Sequence, residues 1–189
     1  MKNILYSDIK TPEELLDFMS NNISYGYLSK SGKVYRYGDD NFNENWYQEY
    51  VLENSHDVLN TKLGNCFDQT ELERDWFSNN NYEFVTLFEM VHLDYENNYP
   101  THSFLVFKDK NNKWNWFENS DYKNRGIHTF NSFLEVIDYQ YKCYLEQLKE
   151  YNIKDEEIDK IIITEFLKPK YHATADEYLD HVINSKRIK

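Results

Sequence analysis

Cys66 is the residue in this chain with the clearest chemical potential. It directly follows Gly64 and Asn65, and it opens a run of residues with helical spacing. The first N–H groups of a helix lack intrahelical partners and carry the positive end of the helix dipole, so they favour a thiolate over a thiol. Cys66 is therefore a candidate nucleophile, provided that the fold brings a base and a carboxylate to it.

A predicted hairpin supplies both partners. Its strands are Thr101 to Phe107 and Lys113 to Glu118, and a polar loop joins them. A register centred on Lys110 places His102 directly opposite Glu118, with Cβ atoms roughly 4.5–5.5 Å apart on one face. A carboxylate on one ring nitrogen would fix the histidine tautomer and leave the other nitrogen to take a proton from a thiol. The sequence thus predicts a nucleophile, a base and an orienting acid.

Each of these residues also has a structural interpretation. A cysteine is often a small buried hydrophobic residue, and we expect this role for Cys143, which lies in the middle of a predicted helix. His102 could be an ordinary residue at the start of a strand, and Glu118 a charge at a sheet edge. Asp121 competes with Glu118 as the acid, but the predicted register places it outside the ladder.

The rest of the chain supplies helices and strands to position these residues. Hydrophobic periodicity and capping residues predict helices near 12–22, 45–52, from 66 onward, 131–151 and 175–183. Alternating patterns predict strands at 82–92 and 161–166, and an irregular or hairpin-like segment at 23–37. We therefore expect an α+β fold in which the cysteine-bearing helix packs on an antiparallel sheet, within a single domain that covers residues 1–189.

Composition excludes several classes of partner. The chain has 21 basic and 33 acidic residues, a formal net charge of −12. A nucleic-acid binder or a binder of anionic membranes would need a basic face, so we expect neither partner. No apolar run approaches the length of a membrane span, and the first residues lack the pattern of a signal peptide. Two widely separated cysteines then suggest reduced thiols and a cytoplasmic protein.

We expect no metal site and no cofactor. The acidic loop that begins at Gly38 has some features of a calcium-binding EF-hand loop. However, Glu44 occupies the position that needs glycine, and Tyr50 occupies that of the bidentate glutamate. The histidines show no metal-ligand spacing with the cysteines or with one another.

Three segments resemble the transglutaminase-like superfamily, within the papain-like cysteine-enzyme fold. They are residues 64–69, which open a helix, and residues 101–106 and 114–118, which form consecutive strands. Residues 125–128 also resemble a stretch in small bacterial members, so the likeness covers roughly residues 55 to 130. Two positions differ from the common pattern: Glu118 stands where many members have Asp, and Phe104 where Trp is frequent.

The resemblance implies a papain-like core with helical flanks on both sides and a catalytic triad of Cys66, His102 and Glu118. It implies acyl transfer from a peptide or protein amide through a cysteine thioester, either to water or to an amine. Two alternatives stay open. The fold could serve as a non-catalytic binding or assembly module, or the triad could use an acyl-thioester donor as arylamine acetyltransferases do.

Overall fold

A computed structural model describes residues 5–42, 46–94 and 97–189 of the chain. After a short 3-10 turn at Tyr6–Asp8, the helices are α1 (Pro12–Asn22), α2 (Trp46–Glu49), α3 (Ser55–Thr61), α4 (Cys66–Asn79), α5 (Phe133–Glu150), α6 (Asp155–Ile158) and α7 (Ala175–Ile183). The strands are β1 (Gly26–Leu28), β2 (Val34–Arg36), β3 (Glu83–Val91), β4 (His102–Lys108), β5 (Trp114–Glu118), β6 (Gly126–Phe130), β7 (Ile161–Glu165) and β8 (Lys186–Arg187).

Most of these strands form one antiparallel sheet in the order β6-β5-β4-β3-β7-β8, while β1 and β2 form a separate hairpin. One hydrophobic cluster joins α1, α3 and α4 to β4 and β5 and includes Leu15, Leu72 and Phe117. Another joins α5 to the sheet through Phe104, Val136 and other residues. The expected α+β class and the packing of the cysteine-bearing helix on an antiparallel sheet are confirmed.

Element boundaries agree closely with the expected ones where periodicity is strong. The helix expected at 175–183 has those bounds, and the helix expected at 131–151 spans Phe133–Glu150. The segment at 23–37 contains the β1–β2 hairpin. Of the helix expected at 45–52, the structure shows Trp46–Glu49, and residue 45 lies outside the described residues. Sequence patterns did not predict β6, because its residues are half-buried or exposed and show no clear alternation.

The start of α4 is fixed by reciprocal hydrogen bonds. The side chain of Asn65 accepts hydrogen bonds from the N–H groups of Phe67 and Asp68, and Asp68 accepts one from the N–H of Asn65. The other carboxylate oxygen of Asp68 accepts from the Tyr50 hydroxyl at 2.6 Å and from the Glu53 N–H at 2.9 Å. Asp68 therefore ties the first turn of α4 to the chain that precedes α3.

A second buried carboxyl group connects the sheet to α5. Glu89 of β3 accepts a 2.5 Å hydrogen bond from the side-chain amide of Gln140. Burial raises the pKa of Glu89 to about 8, although the charge of His102 and the bond to Gln140 oppose the change. Glu89 is therefore largely protonated at neutral pH, so the sheet is spared an unpaired buried charge.

We expect Asp68→Ala to lower the free energy of unfolding by about 3 kcal/mol, because it leaves buried donors of Tyr50, Glu53 and Asn65 without an acceptor. Asp75→Ala is the matched control on the same helix, since Asp75 and its two partners, Lys168 and the Ser55 hydroxyl, are all at least partly exposed. This control should lose about 1 kcal/mol or less. Urea unfolding measures both losses, and equal losses would contradict the role given to Asp68.

Glu89 should make the protein less stable as pH rises. Its pKa is raised from 4.5 to about 8 on folding, so the folded state binds more protons than the unfolded state between these values. The stabilisation is complete below pH 4.5 and is lost as pH rises through 8. Urea unfolding across this range should show that the free energy of unfolding falls as pH rises. Glu89→Gln should reduce this slope by up to about 1.4 kcal/mol per pH unit. An unchanged slope in Glu89→Gln would show that Glu89 is ionised in the folded protein.

Candidate active site

Cys66 is the first residue of α4 and is 5% exposed. The Asn65 side chain accepts from the N–H groups of the next two residues, Phe67 and Asp68, and leaves the N–H of Cys66 outside the cap. That N–H points out of the N-terminal end of the helix, where the positive end of the helix dipole lies. A thiolate or a developing oxyanion at Cys66 is therefore in a favourable field.

His102 and Glu118 are in direct contact. His102 Nε2 and Glu118 Oε2 lie 2.7 Å apart, and their side chains are 13% and 2% exposed. His102 is the first residue of β4 and Glu118 the last of β5, so the pair lies at one end of the sheet. The ring of His102 is also stacked parallel to that of Phe104, with 5.7 Å between centroids. These contacts fix the plane of the imidazole and leave Nδ1 as its free nitrogen.

The ring of His102 also lies within hydrogen-bonding reach of the Cys66 side chain. Burial alone would lower the pKa of His102, but the charge of Glu118 and the hydrogen bonds to Cys66 and Glu118 outweigh it. The pKa of His102 is consequently raised well above its ordinary value of 6.5. The imidazole is thus charged at neutral pH and can stabilise a thiolate beside it. The structure brings together the three residues that the sequence singled out.

The hairpin register differs from the expected one by two residues. Leu105 pairs with Phe117 and Lys108 with Trp114, so the hairpin is centred on Asn111 rather than on Lys110. The expectation that His102 lies directly opposite Glu118 is wrong. The two residues still share a face, because a shift of two positions preserves the alternation of side chains. They meet as diagonal neighbours instead of as a direct pair.

The Glu118 carboxylate is held by groups from its own chain segment. Its Oε1 accepts hydrogen bonds from the Ser120 hydroxyl at 3.0 Å and the Asp121 N–H at 2.7 Å, which leaves Oε2 for His102. Asp121 does not take the place of Glu118, since its own carboxylate accepts from Lys123 and Asn124. Asp121 instead supports Glu118 through its backbone.

Two more buried carboxyl groups face the histidine. Glu73 of α4 and Glu89 of β3 both have raised pKa values, and burial is the main cause for each. The charge of Glu118 raises both further, whereas that of His102 lowers both. Because neutral acids add no charge beside His102, Glu118 remains the partner of the imidazolium.

Three residues that precede Cys66 in the chain and carry side-chain N–H groups do not donate a hydrogen bond to it. Asn60 is exposed and its side-chain amide contacts the ring of His56 at 3.1 Å. Gln48 is exposed on α2. The ring of Trp46 packs against Phe67, with 6.4 Å between centroids. None of these side chains has a hydrogen bond to Cys66 in the part of the chain that the structure describes.

The aromatic residues around Tyr25 and Tyr27 suggest from sequence alone a wall for an acyl groove or ordinary core packing, but they do not indicate that Tyr25 contacts Cys66. The Tyr25 hydroxyl lies within hydrogen-bonding reach of both the side chain and the backbone of Cys66. Tyr25 also lines a cavity of about 380 Å³ together with residues 20–24, Arg36, Tyr37 and Tyr122. Cys66 itself is not among the residues that line this cavity. No local motif marks Tyr25, since 41 residues separate it from Cys66.

The described residues contain no group of three or more histidine, cysteine or acidic side chains arranged to hold a metal ion. Within the same ranges, no helix is long and apolar enough to cross a membrane.

Comparison with known proteins identifies no family for this chain. No protein-family model matches the chain, and no curated protein matches its sequence.

Proposed function

We propose that this protein is a cysteine-dependent acyl-transfer enzyme acting on amides, with Cys66 as nucleophile, His102 as acid and base, and Glu118 as the orienting acid. The observation that carries the proposal is the 2.7 Å contact between His102 Nε2 and Glu118 Oε2, beside a cysteine at a helix start. The order of these residues on a helix and two consecutive strands supports a transglutaminase-like, papain-like core.

The proposed reaction begins with attack of the Cys66 thiolate on the carbonyl carbon of an amide. The oxygen becomes an oxyanion, to which the N–H of Cys66 donates a hydrogen bond. As the C–N bond breaks, His102 gives its Nδ1 proton to the leaving amine, and a thioester remains on Cys66. Water or a second amine then attacks the thioester and gives a proton to His102, which frees the thiolate.

Glu118 keeps the imidazolium in position through this cycle. Its carboxylate is 2% exposed, so it would be a costly unpaired charge if the His102 ring turned away. The same charge raises the pKa of His102, which favours the imidazolium that the thiolate needs. Glu118 therefore acts by orienting His102 and by stabilising its charged form.

Alkylation by iodoacetamide tests the activated cysteine without a known substrate. Cys66 should react much faster than Cys143 at neutral pH, because the raised pKa of His102 keeps the imidazolium beside the thiolate. In His102→Ala the alkylation rate at Cys66 should fall about 100-fold when the pH is about two units below the ordinary thiol pKa of about 8.5. The difference in alkylation rate between His102→Ala and the unmodified protein should shrink as the pH rises towards that pKa. Peptide mass spectrometry reports the rate at each cysteine.

His128→Ala is the matched control for this measurement. His128 is half-buried like His102, but its Nε2 contacts the carbonyl oxygen of Asn124 and its ring stacks on Trp116. This variant should alkylate at Cys66 as the unmodified protein does. Equal and slow labelling of Cys66 and Cys143 in the unmodified protein would contradict the proposed function.

Amine competition separates the two outcomes of the thioester. Glutamine-containing peptides incubated with and without a fluorescent primary amine should lose ammonia only when Cys66 is present, with Cys66→Ala as the control. A product that contains the amine identifies a transferase, and a free acid alone identifies a hydrolase. Release of ammonia from Cys66→Ala at the rate of the unmodified protein would exclude the thioester route.

A further inference from the structure

Backbone hydrogen bonds place Tyr25 beside the start of α4. The N–H of Ser24 donates to the Lys62 carbonyl at 2.9 Å, and the N–H of Gly64 donates to the Ser24 carbonyl at 3.1 Å. On the other side of Tyr25, the N–H of Gly26 donates to the Gly64 carbonyl at 3.4 Å. A Cβ atom at Gly26 would lie 2.4 Å from the Tyr35 carbonyl oxygen, so this close approach requires glycine. Tyr25 is therefore held against the residues that lead into Cys66.

The Tyr25 hydroxyl lies near the two groups of Cys66 that would take part in acyl transfer, the thiol and the backbone N–H. It is within hydrogen-bonding reach of the Cys66 side chain and of its backbone. The backbone contact lowers the pKa of the phenol, as donation by an N–H to its oxygen does. The hydroxyl therefore lies where it can donate a hydrogen bond to Sγ or to an oxygen atom bound beside the Cys66 N–H.

The phenol keeps its proton at neutral pH. Burial and the charge of Cys66 raise the pKa of Tyr25 well above its ordinary value of 10, against the smaller effect of the backbone contact. Tyr25 is thus a hydrogen-bond donor under the conditions in which the thiolate would react.

An open cavity lies beside Tyr25. The ring lines the cavity of about 380 Å³, with Tyr37 and Tyr122 among the other lining residues. Tyr37 meets the Tyr25 ring edge-on, with 5.9 Å between centroids, and is 70% exposed. Tyr25 therefore borders both this cavity and Cys66.

We propose that Tyr25 is a catalytic residue that donates the second hydrogen bond to the oxyanion, opposite the N–H of Cys66. This inference rests on the proposed acyl-transfer function. In this step the substrate's carbonyl oxygen accepts a hydrogen bond from the Cys66 N–H, and the Tyr25 hydroxyl donates a second one to the same oxygen as it becomes an oxyanion. The hydrogen bond strengthens as negative charge develops on that oxygen, which lowers the barrier to attack.

Two small probes separate oxyanion stabilisation from thiol activation. With p-nitrophenyl acetate, Sγ of Cys66 forms a bond to the carbonyl carbon and the carbonyl oxygen becomes an oxyanion. The C–O bond to the nitrophenyl group then breaks, and nitrophenolate leaves with the electron pair. With iodoacetamide, Sγ displaces iodide at a saturated carbon and no oxyanion forms. Tyr25→Phe should lower the rate of acetyl transfer to Cys66 by about 100-fold, while alkylation changes by less than about threefold. The nitrophenolate burst and peptide mass spectrometry measure the two rates.

Tyr27→Phe is the matched control. Tyr27 belongs to the same segment, but its hydroxyl donates to the Phe42 carbonyl at 3.3 Å and its ring is buried against Tyr35. This variant should keep both rates. Cys66→Ala gives the background for each probe, and a circular dichroism spectrum verifies that every variant is folded.

The outcomes distinguish the two proposals. If Tyr25→Phe leaves acetyl transfer unchanged, or lowers both rates equally, Tyr25 is not an oxyanion donor although the activated cysteine stands. If both rates rise, the hydroxyl only blocks Cys66, and the inference is wrong. If the unmodified protein reacts with neither probe faster at Cys66 than at Cys143, the proposed function itself fails.

Discussion

The 2.7 Å hydrogen bond between His102 Nε2 and Glu118 Oε2 is the interaction on which the site depends. The Glu118 carboxylate is almost completely buried, so it needs charged or polar partners to offset its lost hydration. Ser120 and the backbone of Asp121 satisfy one oxygen, and His102 satisfies the other. The ring of His102 is thereby oriented so that one nitrogen remains for Cys66. The same contact favours the charged imidazole over the neutral one, because the charge of Glu118 raises the pKa of His102.

The fold brings this pair to Cys66 through the packing of α4 on the sheet. Asn65 and Asp68 fix where the helix begins, and the bonds from Asp68 to Tyr50 and Glu53 hold that turn against the preceding chain. These contacts hold Cys66 where the N–H of its own residue and the dipole of α4 can stabilise negative charge. In the proposed reaction the helix supplies the electrostatic field, and the hairpin supplies the proton through His102.

Local patterns were sufficient to predict the four longest of the described helices, the strands β3, β4, β5 and β7, and the three residues of the candidate site. The expected register was wrong because the Asp109 side chain accepts from the N–H groups of Asn111 and Lys113. This closes a turn centred on Asn111 instead of Lys110, which shifts each strand pairing by two positions. Tyr25 could not be predicted, since its place depends on hydrogen bonds between segments that are distant in sequence. Membership of the transglutaminase-like superfamily stays a prediction based on short motifs.

The charge state of His102 is the most direct test of this account. Nuclear magnetic resonance of protein labelled with nitrogen-15 histidine reports whether each ring nitrogen carries a proton, and His102→Ala assigns the signal. We expect both nitrogens of His102 to be protonated at neutral pH, with titration well above the ordinary value of 6.5. Cys66→Ala and Glu118→Gln should each lower the titration midpoint, because each removes a cause of the raised pKa. A neutral ring at pH 7 in the unmodified protein would contradict the proposed imidazolium–thiolate pair.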